Sequence, residues 1–420
     1  TNLSLKMSCE EDCCEDISFQ GVWDWIIKFN DPFLLHKAQP TYLYSQASFI
    51  FGAAATLYHA LKNGGRWPYL WFGTVLHGLV LEIICYIQPN VDNFWHSQTP
   101  IILLGRRLPL HIVFLYPCFI YQAMAAVANM RLSRWAEQWA VGATVVLIDM
   151  PYDIASVKFL HWTWHDTDPN IGDRHYWVPW NSYFFHCTFA ASFIFWFNRS
   201  NGLGEINDKW SAKSFLIEVR RMLVASLLGA PGGVLVFILI YHPLHDIAGI
   251  HSEVTFFMMF SIVLLIVWSS DRSSNKSSIT PAFRSRAILL TALLVHYSVF
   301  LLMVMFGKPE DEQSTGLHEP TGPCHETSPL QTALGMVLQK KKYLCVDDYE
   351  EGYFDFSCVP SGPPEGIKRW YTICGTAFQN RTEYVSIIAT ISIVAAGFFY
   401  NTHFKNVNQA SKDLEIKKST

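Results

Sequence analysis

The residues with the most chemistry to offer lie between Asp149 and His186. Asp149-Met-Pro-Tyr-Asp153 is followed by His161-Trp-Thr-Trp-His165-Asp166-Thr-Asp168-Pro, and then by His175-Tyr-Trp-Val-Pro-Trp-Asn181. Of the 16 histidines, His96, His111, His161, His165, His175, His186, His242, His245 and His251 fall at corresponding ends of apolar blocks or in the loops joining them. Ionisable groups inside apolar blocks are costly and line a protein interior or a cavity. Glu82 and His77 in one block, and Asp149 and Asp153 in another, therefore mark a pocket at that same end.

Two chemistries suit these residue types. A carboxyl group at the end of an apolar cavity favours its neutral, proton-donating form and can protonate a double bond or activate water beside it. Glu82, Asp149 and Asp153 fit that work by type and depth, and aromatic faces would stabilise the carbocation that follows. Alternatively, His161 and His165, four residues apart, with His242-Pro-Leu-His245, would supply imidazoles to zinc or iron, helped by Asp166 or Asp246. No His-His pair occurs anywhere, although membrane di-iron enzymes with histidine boxes would be expected to show adjacent pairs. Trp162, Trp164, Tyr176, Trp177, Trp180 and Asn181 read as substrate contacts, or as an aromatic belt at a membrane interface.

The elements that must position these groups are helices. The chain has 420 residues, 50% hydrophobic and only 16% charged, well below the quarter that soluble domains carry. Uncharged blocks of about 20 residues read as membrane-spanning helices, because every backbone polar group in lipid needs an internal partner. Such blocks lie at 42–61, 69–88, 108–128, 136–159, 181–198, 218–241, 253–270, 287–306 and 384–400. The expectation is an all-α bundle of about nine spans. Pro151 and Ala230-Pro231-Gly232-Gly233 are expected to kink their helices, with neighbours or water satisfying the freed backbone groups.

Charge asymmetry orients the bundle. Lys62 and Arg66, Arg131 and Arg134, Lys209, Lys213, Arg220 and Arg221, and Arg272, Lys276, Arg284 and Arg286 fall in alternate loops, which places those loops in the cytosol. The chain then divides into a non-cytosolic segment 1–41, an eight-span core 42–306, a non-cytosolic loop domain 307–383, a ninth span 384–400 and a cytosolic tail 401–420. Cys324, Cys345, Cys358 and Cys374 in the loop suit an oxidising compartment, their pairing being open, with Cys9, Cys13 and Cys14 on the same face. Asn2-Leu-Ser is a glycosylation sequon on that face. Lys417-Lys418 near the end resembles a dilysine retrieval signal or reads as a solvated basic tail, and the expected membrane is that of the endoplasmic reticulum or the cell surface. A net charge of -4 with scattered basic residues excludes a nucleic-acid partner.

The order of these motifs resembles the carotenoid hydratase-like membrane family, the group that contains bisanhydrobacterioruberin hydratase. There, a Glu-bearing helix precedes a Pro-Leu segment, and an Asp-Pro segment is followed by Trp-x-Trp and Tyr-x-Val-Pro-x-x-Asn. The matching residues are Glu82, then Pro109 and Leu110, then Asp149 and Pro151, then Trp162 and Trp164, then Tyr176, Val178, Pro179 and Asn181. Here Met150 separates the Asp from the Pro, Asn181 comes one residue early, and the histidines are additions. The nearest likeness is to an uncharacterised animal multi-pass family with this core. The resemblance implies about seven helices around an apolar cavity for an isoprenoid or other lipid, with two helices and a loop domain appended.

The reading that joins these strands is a membrane-embedded lipid- or isoprenoid-processing enzyme. Glu82, Asp149 and Asp153 would carry protons, and His161, His165 and His245 would orient or relay, with no cofactor. The alternatives are a non-enzymatic lipid carrier or receptor-like protein whose loop 307–383 binds a protein partner, and a metal-dependent enzyme using His161, His165, His242 and His245.

Overall fold

The computed structural model describes residues 17–88, 93–130, 132–164, 169–199, 209–271, 286–332, 334–349 and 351–405. Asn2, Cys9, Cys13, Cys14, His165, Asp166, Lys417 and Lys418 lie outside the described residues, so the glycosylation and retrieval expectations and part of the histidine set concern that remainder.

Helices dominate. After two short helices, Val22–Ile26 and Pro32–Ala38, come α1 Pro40–Asn63, α2 Trp67–Ile87, α3 Leu110–Val127, α4 Arg134–Lys158, α5 Trp180–Arg199, α6 Phe215–His242, α7 Ser252–Asp271, α8 Arg286–Phe306 and α9 Arg381–Tyr400. Seven of these, α2, α3, α4, α6, α7, α8 and α9, are long and apolar enough to cross a membrane, which marks an integral multi-pass membrane protein. The helices α1 and α5 match them in length, but Tyr44, Ser45, Gln46 and Ser48, and Asn181, Ser182 and His186, interrupt their apolar runs.

Local chemistry sets the ends. The Ser133 hydroxyl accepts from the Ala136 amide at 3.3 Å to start α4, and Asn380 accepts from Glu383 at 3.3 Å to start α9. Both interior prolines stay within continuous helices. Pro151 has no N–H for the Leu147 carbonyl, and the Tyr297 hydroxyl of α8 donates to that carbonyl instead. At Pro231, the small residues around it let α5 approach: a Cβ on Gly232 would meet the Ser192 side chain at 2.2 Å.

In the bundle, α5 packs between α4 and α6, α2 lies against α6, α8 against α1 and α9, and α7 against α4. At the end where α1 gives way to α2, charges are buried rather than free. Arg66, only 1% exposed, pairs with Glu218 at 3.0 Å, Glu218 also holds Arg221, and Lys209 pairs with Glu137. Several basic residues counted as loop charges are therefore structural ion pairs.

The all-α expectation describes the helical bundle, and the 307–383 domain departs from it. Its antiparallel sheet orders Phe354–Asp355, Trp370–Gly375 and Gln313–Leu317, and a hairpin joins Thr327–Gln331 to Val337–Lys341. Cys324 is bonded to Cys345, and Cys358 to Cys374. The domain sits on the loops of the bundle: the Trp164 amide donates to the Tyr353 hydroxyl at 3.0 Å, and Ser97 and Ser314 share a hydrogen bond. Those loops are themselves pinned by strand pairing of Phe94–His96 with Trp162–Trp164.

Candidate active-site cavity

Between α2, α3, α4, α5 and α6, at the end of the bundle that carries the loop domain, lies a cavity of about 550 Å³. Glu82, Asp153 and His186 reach it from three different helices, and Trp162, Trp164 and Asn181 reach it from the loop end. The rest of the wall is largely apolar, including Leu115, Phe119, Phe185 and Phe237. Leu330, Gln331 and Thr332 of the loop-domain hairpin also line it, so that domain closes part of the mouth.

Glu82 is held from both sides. The Tyr116 hydroxyl donates to Oε1 at 2.9 Å and the Tyr86 hydroxyl to Oε2 at 3.1 Å. Tyr86 lies one helical turn from Glu82 on the same face of α2. Tyr116 comes from α3 and crosses directly over Gly78, where an added Cβ would stand 2.1 Å from its ring. Only glycine permits that approach, so one position fixes the partner of a carboxyl group one turn further on.

Asp153 accepts from the Ser182 hydroxyl at 2.8 Å. Asp149, one turn away on α4, is fully buried, accepts from no N–H or hydroxyl donor and lies against the Asp153 carboxyl group. His186 Nε2 stands 3.4 Å from Asp149 Oδ1. One atom from each of Asp149, Asp153 and His186 can be chosen so that all three lie within 4.8 Å of one another.

The other sequence candidates are placed elsewhere. His161 is fully buried and does not line the cavity, with Thr41 Oγ1 at 3.0 Å, Ser156 Oγ at 3.1 Å and the Tyr42 ring stacked on it. His245 and His242 both contact Asp246, at 2.8 and 2.6 Å, and only His242 reaches the cavity. His161 and His245 thus have separate sets of partners, and among the described residues they do not fall into one cluster of potential metal ligands. Tyr176 stacks edge-on against Tyr384, Trp177 against Tyr353, and Trp180 against His175 and Phe256, so these three support the loops and do not line the cavity.

Burial sets the charge of the loop-end imidazoles. His96, which lines the cavity, is pushed down to about 3 by burial and by Arg107 nearby. His175 is held at about 4 by burial, and His161 lies well below its ordinary value for the same reason, with His96 adding to it. All three are neutral at neutral pH, able to accept or donate a hydrogen bond but poor as acids.

Sequence reasoning missed Tyr116, Ser182 and the role of His186. Ser182 and His186 are four residues apart on α5, as are Asp149 and Asp153 on α4, and that shared spacing was the signal that two polar stripes face each other.

A family model for a domain of unknown function, DUF7802, matches residues 8–404, nearly the whole chain. The chain belongs to that family. No curated protein and no solved structure matches it.

Proposed function

We propose that this chain is a membrane-embedded enzyme that transforms a lipid or isoprenoid by acid/base chemistry in the cavity. The observation that carries this is the arrival of Glu82 and Asp153, from α2 and α4, in one largely apolar cavity. Its volume lies in the range of small-molecule sites, about 300–1,000 Å³. Ile84 and Val234, each 38% exposed, are part of its wall, so an apolar substrate has a route in between α2 and α6 from the bilayer side.

In this reading Glu82, oriented by Tyr116 and Tyr86, gives its proton to a substrate double bond. The two π electrons form the new C–H bond and leave a cation on the neighbouring carbon. The faces of Phe119, Tyr152 and Trp162 stabilise it, and water adding to the cation returns a proton to the Asp149–Asp153 side. Nine spans, with the loop domain and the cavity mouth on the non-cytosolic face, complete the picture. The two disulfides of that domain support this placement, since disulfides persist in oxidising compartments.

The test is comparative lipid analysis of membranes expressing the chain or its Glu82→Gln variant. General acid catalysis contributes about 10²–10⁴-fold, so product formation should fall at least a hundredfold. Equal lipid profiles from both would sink the enzymatic reading, and an unaltered lipid copurifying with both would favour a lipid carrier.

A further inference from the structure

We propose that Asp149, Asp153 and His186 form a binding site for a divalent transition-metal cation between α4 and α5, on the wall of the cavity. The first ground is charge. Two carboxyl groups, fully buried and 3% exposed, lie one turn apart on one helix, and neither is paired with a lysine or arginine among the described residues. Buried carboxylates persist when they are paired, hydrogen-bonded or bound to metal. The single hydrogen bond from Ser182 answers one of four oxygens.

The second ground is Asp149 itself. Both its oxygens are buried and accept from no N–H or hydroxyl donor, facing only the Asp153 carboxyl group and His186. A satisfied structural Asp–His pair would be hydrogen-bonded, whereas two ligands of one ion face a common point without bonding to each other. Ligands about 2.1 Å from a tetrahedral ion are about 3.4 Å apart. The His186 Nε2 to Asp149 Oδ1 distance is 3.4 Å, and the whole set lies within 4.8 Å, so small side-chain rotations close it.

The donor set selects the ion. Calcium takes six to eight oxygens and magnesium keeps most of its waters. One imidazole with two carboxylates suits zinc, iron(II) or manganese. Three protein ligands leave a further position, and Asp153 and His186 both line the cavity, so a bound water there would face the substrate. The Ser182 hydroxyl on Asp153 is then the outer partner that orients a ligand. This goes beyond the acid/base reading: a cation here would present its bound hydroxide as the proton acceptor, yet the site is measured without any substrate.

The experiment is metal analysis of the full chain, purified in detergent through a tag that binds no metal, then incubated separately with zinc, iron(II) and manganese and desalted. About one equivalent of at least one of these metals should remain, falling at least tenfold in Asp149→Asn and in His186→Gln. Manganese-loaded protein should also show nitrogen coupling in its pulsed electron paramagnetic resonance spectrum, absent in His186→Gln. This spectrum of the parent chain serves even if the Asp149 variant fails to fold. Retention below a tenth of an equivalent of every metal, or retention unaltered in both variants, would overturn the site. Either result leaves the Glu82 lipid test standing separately.

Discussion

The hydroxyl of Tyr297 on α8 donates to the backbone carbonyl of Leu147 on α4 at 3.0 Å, and the neighbouring His296 donates to the next carbonyl, that of Ile148, at 2.9 Å. Pro151 would have left the first of these without its helical partner. The helix can thus carry a proline between its two buried carboxyl groups, Asp149 and Asp153, while its backbone remains satisfied.

Tyr297→Phe should therefore cost about 1 kcal/mol, the usual net worth of one buried hydrogen bond. The cost should shrink when Pro151→Ala is present, because an alanine amide can then reach Leu147. Thermal unfolding in detergent of the two single variants and the double variant measures the coupling. Equal costs of Tyr297→Phe in both backgrounds would refute this account.

Glu218 carries a second dependence. It accepts from Arg66 at 3.0 Å and from Arg221 at 2.5 Å, with all three side chains buried. Removing one member of a buried ionic group leaves uncompensated charge and costs about 3–5 kcal/mol. Glu218→Gln should lower the unfolding midpoint far more than Glu253→Gln at the start of α7. Similar midpoints for these two variants would show that water reaches the arginines.

Much of this architecture was legible in the sequence, and the remainder was not for identifiable reasons. The long apolar blocks and the two proline sites are local features, as is the inward placement of Glu82, Asp149 and Asp153, whose cost inside an apolar helix is itself the signal. His186 needed the register of α4 against α5, which no local pattern states. His161 and His245 were grouped with a metal by spacing alone, and spacing within a loop says nothing of tertiary partners: the His161 amide turns back to the Ser156 carbonyl at 2.9 Å. The loop-domain strands run from two to six residues. Such short strands among Gly, Pro and Thr leave little periodicity to read.

The disulfides give a third prediction. Cys358–Cys374 closes a separation of 16 residues and ties the Phe354–Asp355 strand region to Trp370–Gly375. A loop of that size is worth about 3 kcal/mol on chain entropy. Cys358→Ser with Cys374→Ser should speed hydrogen exchange across 353–375 and spare α4. Peptide mapping of the parent chain should recover both Cys324–Cys345 and Cys358–Cys374, and any other pairing among these four would contradict the domain described.

The last prediction concerns Glu312, where the loop domain meets the start of α1. Its Oε1 accepts from the Thr41 amide at 3.3 Å, while Oε2 is buried without a partner. Burial pushes its carboxyl group up to about 8, outweighing the Thr41 hydrogen bonds that lower it, and Asp311 adds to the rise. In the unfolded chain the same group titrates near 4.3. Between those values the folded state binds more protons than the unfolded state, so the contribution is complete below about pH 4.3 and is lost as pH rises toward 8. His96 and His175 act in the opposite direction: their depressed values cost stability as pH falls below about 6.5. The whole-protein curve mixes these effects, but the difference between the parent chain and Glu312→Gln isolates one. Glutamine imitates the protonated acid, so the variant should match the parent near pH 4 and exceed its unfolding midpoint by several degrees at pH 8.5. A difference that stays flat from pH 4 to 8.5 would mean that Glu312 is hydrated in the folded protein and does not couple the loop domain to α1 through its proton.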